Sequence, residues 1–471
     1  MKVLTPHLCV IGAGSGGLSV AAGAVQMGAA VVLIEGGEMG GDCLNHGCVP
    51  SKALLAAAKA AKAMGAGAPF GVAPARAEVD FAAAKDHVRR VIDGIAPHDS
   101  QERFEGLGVD VIRDWARFVS PTEAEAGGAR IRARRFVIAT GSRPAMPPVQ
   151  GLEEAGYLTN ETIFALRERP RRLLILGGGP IGMEMAQAHL RLGCEVTVVE
   201  ALRALGREDE EAAAVVLARL RAEGLTIREG AKAASVSREG AVTTLTLESG
   251  ERLEAEALLV AAGRRPALDG LGLEAAGVET TRAGVKVDSG LRSVSNRRVY
   301  AVGDAAGGAQ FTHLAGWHAG LVIRNALFRL PVKAEAAIPR ATFTEPELAQ
   351  VGPTEAEARE IYGAKLEICR ADYAENDRAR AELKTEGFVK VMVVKGRPVG
   401  ATIVGAHAGD LVSLWSLAIA KRLKIGDVAG FVAPYPTYGE LAKRAAGAYF
   451  SPRLFGSPMV KRIVRLLAKL G

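Results

Sequence analysis

Cysteine is scarce in this chain of 471 residues: there are five, at Cys9, Cys43, Cys48, Cys194 and Cys369. Five scattered thiols exclude the dense disulfide scaffold of a small secreted protein and fit a reducing cytosol. A zinc knuckle needs two closely spaced cysteine pairs, and only one such pair exists, so no structural metal is expected. Aromatic residues make up only 5% of the chain, and no basic block with interleaved aromatics occurs. That argues against nucleic acid, even though the net charge is +7. No uninterrupted apolar run reaches the length of a membrane span. The first strand pattern, LCVIGAG, begins at Leu8 and leaves no room for a signal peptide, so a cytoplasmic protein is expected.

What the chain does have is glycine, 56 residues of it. The length allows two to four domains with ample core. Leu8 to Gly17 reads LCVIGAGSGG: an apolar strand, then Gly12, Gly14 and Gly17 in G-x-G-x-x-G spacing. A helical run follows, and a second strand, AVVLIE, ends at Glu35. Such glycines permit a tight turn, close approach to a pyrophosphate and close helix–strand packing; the terminal acid accepts ribose hydroxyls. The unit recurs as LLILGGGPIG, with Gly177, Gly179 and Gly182, and its second strand, EVTVVE, ends at Glu200. Glycine to acid spans 23 positions both times (35 − 12 and 200 − 177). Two such units imply two bound dinucleotides.

Residues 40–52 read GGDCLNHGCVPSK. Four residues separate Cys43 from Cys48, few enough to close a small disulfide ring, so the pair reads as a dithiol that opens and closes. A purely structural disulfide or two idle core thiols is the competing reading. The Ala-, Leu- and Lys-rich run Ser51 to Ala63 predicts a helix, which puts Cys48 near a helix N-terminus where a thiolate is favoured. The longer stretch from Ala53 to Phe81, despite its glycines, also reads as helix. Cys9 and Cys194 fall in or beside apolar strand runs and read as buried packing residues.

With these motifs the chain resembles the FAD-dependent pyridine nucleotide-disulfide oxidoreductases, whose usual stretch is GGTCLNVGCIPSK. Asp42, His46 and Val49 are departures from it. The resemblance implies an α/β fold: two Rossmann-like dinucleotide-binding domains, for FAD and NAD(P), plus an α+β C-terminal dimerisation domain. The implied boundaries are 1–150 and 268–337 for a discontinuous FAD domain, 151–267 for NAD(P), 338–450 for the interface domain and 451–471 for a basic tail. It assigns the first glycine unit and Glu35 to FAD, together with Gly41, Lys52 and Ala116. FVIATGSRP contributes Thr140, Gly141 and Ser142; VYAVGDAAG contributes Gly303 and Asp304; Gln310 to His313 would run under the flavin. The second unit, with Glu200 and with Gly263 of LLVAAGRRP, would hold NAD(P)H. An acid at Glu200 favours NADH, whereas Arg203 and Arg207 just beyond it could accept the extra phosphate of NADPH.

The implied chemistry passes a hydride from the nicotinamide to the flavin and on to the Cys43–Cys48 disulfide, with Cys48 facing the flavin and Cys43 meeting the substrate. Lys52 and Glu184 match a family ion pair beside the flavin. Near the C-terminus the family's disulfide reductases carry H-x-H-P-T-x-x-E, in which the second His exchanges protons with the dithiol. This chain has Tyr435 at that His and Ala433 at the first, followed by Thr437 and Glu440. A neutral Tyr is a poor proton acceptor near pH 7, and losing a general acid–base typically costs about 10²–10⁴ in rate. Mercuric reductases of the family also have Tyr there, and QFTHLAGWHAG looks more like that branch. Yet the tail has no cysteine pair to hand over a metal ion. The expected substrate is a small disulfide, a thiol or a thiophilic metal ion, and the expected assembly is a homodimer.

Two other functions stay open: a flavin that feeds a quinone with incidental cysteines, and an electron-carrying subunit of a larger assembly. His46 is a candidate replacement base, and the Asp42 charge is expected to disfavour a Cys43 thiolate. In the tail, Val460, Ile463, Val464, Leu467 and Leu470 fall at helical spacing among Lys461, Arg462, Arg465 and Lys469. Such a helix packs on its own protein or touches an anionic membrane surface weakly.

Overall fold

The structure, a computed structural model, describes residues 1–469 and divides into two compact units. The first comprises Met1–Gly177, Ala188–Val199 and Lys232–Glu335; the second comprises Gly178–Gln187, Glu200–Ala231 and the residues from Ala336 on.

The first unit is built on the strand Leu8–Ile11, whose four residues are all buried. A strand apolar on both faces belongs at the centre of a parallel sheet covered from two sides. It pairs in parallel with Val31–Ile34 on one side and Arg135–Ile138 on the other; Asp110–Ile112 and Val299–Ala301 complete five strands. Phe136 and Ile138 point into one buried cluster, Val137 into another, so alternate residues of one strand serve the two faces. The helix Ser15–Gln26 follows the first glycine loop, as the βαβ pattern requires. A second parallel set has Arg172–Leu176 between Glu195–Val199 and Ala257–Val260.

In the second unit a five-stranded sheet runs Arg340–Thr342, Glu347–Val351, Arg397–Gly405, Phe388–Val394 and Leu366–Asp372, all antiparallel. The helices Ala408–Ala420 and Glu440–Ala448 pack on it, and Trp415, Tyr373 and Leu441 are fully buried in the shared core. The fold is therefore α/β, with two parallel sheets in the first unit and an antiparallel α+β body in the second.

One expectation needs correction. The stretch from Ala53 to Phe81 is not one helix. The helix Cys48–Met64 ends at Gly65, only a single turn forms at Ala68–Phe70, and the next helix is Phe81–Ile95. Between them lie Gly65, Gly67, Pro69, Gly71 and Pro74; proline removes a backbone donor and glycine adds chain entropy, so the alanines there cannot propagate a helix. Asp80 then restarts it, its carboxylate accepting the Ala83 N–H at 2.9 Å.

Candidate active site

The two glycine loops are folded alike. Gly12 has φ +104° and Gly177 φ +115°; a Cβ at either would lie 2.5 or 2.4 Å from the carbonyl oxygen of Ala139 or Ala261. A Cβ on Gly17 would meet the Gly12 carbonyl oxygen at 1.8 Å, so the helix touches the loop only because Gly17 has no side chain. The acids at the strand ends behave alike too. Glu35 accepts the N–H groups of Ala13 (2.5 Å) and Gly37 (2.6 Å), and Glu200 accepts those of Gly178 (2.7 Å) and Leu202 (2.9 Å). Each carboxylate is thereby fixed against its own glycine loop, with lone pairs left for ribose hydroxyls.

Around the first loop the structure gathers many of the residues assigned to FAD. Gly40 N–H donates to the Ala13 carbonyl (3.0 Å), and a Cβ on Gly41 would come within 2.7 Å of the Gly14 Cα. The segment carrying the cysteines is thus clamped to the glycine loop through backbone alone. Ala116 is buried beside Phe118 and Phe136. Gly141 has φ +67°, and the neighbouring Thr140 hydroxyl is buried without a hydrogen-bond partner. Ser142 Oγ donates to Asp304 Oδ2 at 2.5 Å and accepts from Arg264 Nε at 2.8 Å. Burial pushes the Asp304 carboxyl above its ordinary value, against the pull of Ser142 and Arg264. Gly303 N–H donates to Nδ1 of buried His318 (3.2 Å), which fixes that ring as a neutral acceptor; burial lowers its pKa. Gln310 is half-buried, and His313 is exposed and stacked on Phe311.

The cysteine pair is present as free thiols. Cys43 lies in the helix Gly41–Asn45 and is half-buried; Cys48 is the first residue of Cys48–Met64 and is exposed. Cys48 Sγ is 3.4 Å from Thr312 Oγ1. The Cys43 thiol is held well above its ordinary pKa, first by its hydrogen bond with Cys48 and then by burial. The other three cysteines are buried; burial raises the thiol pKa of each, to about 11 for Cys194 and Cys369.

Asp42 is held by two partners. It accepts from Asn160 Nδ2 at 2.8 Å, and its other oxygen lies 3.2 Å from the Arg264 guanidinium. His46 faces Glu38 at 3.8 Å, and its carbonyl accepts from Asn160. Lys52 is half-buried, its ammonium 3.4 Å from Ser51 Oγ. Glu184 is buried and accepts the Phe343 N–H at 2.9 Å, which rules out a merely solvated helix residue.

Tyr435 lies in the second unit, 71% exposed, and its hydroxyl donates to Asp377 Oδ2 at 3.1 Å. That hydrogen bond, with the Asp377 charge, raises the phenol pKa above its ordinary value. Thr437 N–H donates weakly to Glu440 at 3.4 Å. At the second glycine unit, Gly182 is buried, Gly179 has open space at its Cβ position, and so does Gly263, at φ +128°. Arg203 is paired with Glu210 at 2.7 Å, while Arg207 is exposed.

Comparison with known proteins accounts for this arrangement. The profile of the pyridine nucleotide-disulphide oxidoreductase family matches residues 6–319, and that of its dimerisation domain matches 338–446. The chain belongs to this family. Mercuric reductase of Lysinibacillus sphaericus is 34% identical over 447 residues, covering 93% of this chain and 82% of that enzyme. Dihydrolipoyl dehydrogenase of Thermus scotoductus is 35% identical over 465 residues, covering 94% and 97%. Among solved structures, the HOCl-induced flavoprotein disulfide reductase RclA from Escherichia coli superposes with a TM-score of 0.84 at 27% identity, covering 94% of this chain and 99% of that one. RclA has also been solved as a Cu(II) complex. The protein is thus an oxidoreductase of a flavoprotein family that uses FAD and NAD(P)H. No helix among the described residues is long and apolar enough to cross a membrane.

The residues fit FAD. A buried Thr140 hydroxyl without a protein partner and a loop closed by glycines at 12, 17 and 41 supply the polar atom and the backbone approach that a pyrophosphate needs. Sequence reasoning did not single out Arg264, Asn160, His318 or Asp377. Arg264 stands beside Gly263 in LLVAAGRRP, and His318 follows His313 in QFTHLAGWHAG; Asn160 and Asp377 lie in no motif.

Proposed function

We propose that this is an NADH-dependent flavoprotein whose Cys43–Cys48 dithiol takes a thiophilic metal ion in preference to a small disulfide. The observation that carries this is the Tyr435 hydroxyl tied to Asp377. Releasing a thiol from a disulfide needs a proton donor and acceptor near neutral pH. A phenol whose pKa is raised by a neighbouring carboxylate stays protonated there and cannot accept one. Reduction of a divalent soft cation has no such need. The two electrons of NADH reduce one Hg(II) to Hg(0), or two Cu(II) to Cu(I), one proton is released, and two sulfurs supply the ligands. The likeness to mercuric reductases over 93% of the chain supports the same reading.

Bound FAD supplies two-electron exchange between the nicotinamide and the sulfur pair. Gly12, Gly14, Gly17, Glu35, Thr140 to Ser142 and Asp304 would hold it, over the domain 1–150 and 268–337. Gly177, Gly179, Gly182, Gly263 and Glu200, in 151–267, would hold the nicotinamide dinucleotide. The Arg203–Glu210 pair supports NADH, since it engages one of the two arginines that a 2′-phosphate would need. Cys48, at the start of its helix and beside Thr312, is the sulfur we assign to the flavin side. Cys43 is assigned to the substrate side. The body 338–450 forms the interface of a homodimer and lends Tyr435 and Glu440 to the partner subunit's dithiol.

The test is anaerobic turnover with NADH and NADPH against Hg(II), Cu(II) and a panel of small disulfides. Metal-dependent NADH oxidation that disappears in the Cys43→Ser/Cys48→Ser protein is expected. Undiminished turnover in that variant, or disulfide reduction as fast as metal reduction, would overturn the proposal.

A further inference from the structure

The last two helices, Ser451–Phe455 and Pro458–Leu467, contain no buried residue. Ser457 caps the second, its hydroxyl accepting the Val460 N–H at 3.3 Å, and Pro458 opens it. Its residues separate by chemistry. At about 100° per residue, Met459, Val460, Ile463, Val464, Leu466 and Leu467 fall on one side. Lys461, Arg462 and Arg465 fall on the other, and none of these three forms an ion pair among the described residues. Leu470, which continues the apolar spacing in the sequence, lies outside the described residues. The apolar side is uncovered: Met459 is 68% exposed, Val464 59%, and Phe455 of the preceding helix 73%. Packing against the body of the same chain, the commoner fate of such a helix, is therefore not what this one does.

An exposed apolar face of this extent marks an interaction surface, and the surrounding charge says with what. From Leu441 to Gly471 there is no Asp or Glu, while Lys443, Arg444, Arg453, Lys461, Arg462, Arg465 and Lys469 supply seven positive charges. Arg453 and Arg444 are answered by Glu367 and Glu375 of the same unit. The cations of the terminal helix are not. A second copy of this face would bring like charges together around the apolar contact, which costs association energy. An anionic bilayer satisfies both sides at once: acyl chains receive the apolar residues and lipid headgroups receive the lysines and arginines.

We infer that the helix Pro458–Leu467 seats the protein reversibly on an anionic membrane surface, lying in the headgroup layer without spanning it. The inference is independent of the reaction proposed above.

The experiment is co-sedimentation of the full-length, flavin-loaded protein with vesicles of phosphatidylcholine alone, or with about one anionic lipid in three. Binding to the anionic vesicles at least about tenfold above the neutral ones is expected, falling as salt rises. Val464→Asp and Leu467→Asp place charges on the exposed apolar side, where no packing is lost. They should abolish sedimentation while leaving the oxidation of NADH unchanged. Absence of vesicle binding, or binding unaltered by these substitutions, overturns the inference. So does a change in oligomer mass caused by them in the absence of lipid, which would make a second copy the occupant.

Discussion

The guanidinium of Arg264 lies 3.2 Å from the carboxylate of Asp42, joining two residues 222 positions apart in the chain. The same side chain donates to Ser142 Oγ and to the Ser142 carbonyl (2.9 Å), and Ser142 in turn donates to Asp304. One arginine thus ties the cysteine segment, the first cofactor crossing and the Asp304 turn together. Replacing it with Met leaves a half-buried carboxylate with Asn160 alone. Arg264→Met is expected to destabilise the protein by about 1–3 kcal/mol. Asp42→Asn should cost less in that background than alone, with a coupling of at least about 0.5 kcal/mol. Denaturation of the four proteins of the cycle measures it, and strict additivity would show that the pair does nothing.

Thr312 pulls against the raised Cys43 thiol. Its hydroxyl favours the thiolate, whereas Cys48 and burial favour the protonated form. Thr312→Val removes the one side-chain hydrogen bond that lowers the pKa, so the dithiol should titrate at higher pH. Alkylation of the reduced protein at pH 8 is expected to slow by up to about tenfold. An unchanged rate–pH profile would mean the 3.4 Å contact with Cys48 is incidental.

Tyr435 offers a test of proton supply. Asp377→Asn removes the acceptor charge, so the phenol pKa should fall toward its ordinary value; the tyrosinate absorbance difference from Tyr435→Phe reads it directly. Tyr435→His restores an acceptor that titrates near neutrality. Turnover of a small disulfide is then expected to rise by about ten- to hundredfold, with metal reduction little changed. If the disulfide rate stays flat, the missing proton acceptor is not what limits it.

Local pattern made much of this visible beforehand. A strand, three glycines, a helix and a strand-end acid are all set within about 25 residues by backbone sterics, so both nucleotide loops could be read from the chain alone. The shared hydrogen bonding of Glu35 and Glu200 follows from that equal spacing. The cysteine pair was legible for the same reason. Arg264, Asn160 and Asp377 were not, because each acts on a residue 58 or more positions away and no periodicity records such contacts. The helix expected across residues 65–80 failed on composition: its alanines carry propensity, but the glycines and prolines between them decide.

Lys85 gives the last prediction, one for stability. It is 3% exposed, and its ammonium donates to the Ile163 carbonyl (2.9 Å) and lies 3.4 Å from His189 Nε2, over the ring of Phe81. Burial pushes its pKa down from 10.5 to about 8. Below pH 8 the lysine is charged in both folded and unfolded chains, and the folded form bears the whole desolvation cost. Between pH 8 and 10.5 the unfolded chain holds the proton that the folded one has released, so stability rises with pH across that window. The lowered pKa corresponds to about 3 kcal/mol. Lys85→Met removes the charge at the loss of the hydrogen bonds to Ile163 and His189, each worth about 1 kcal/mol. The variant should therefore be the more stable protein at pH 7, by about 1 kcal/mol, and lose that advantage by pH 10. Urea midpoints of both proteins at the two pH values decide it: an equal gain at each would mean that packing, not the buried charge, accounts for the difference.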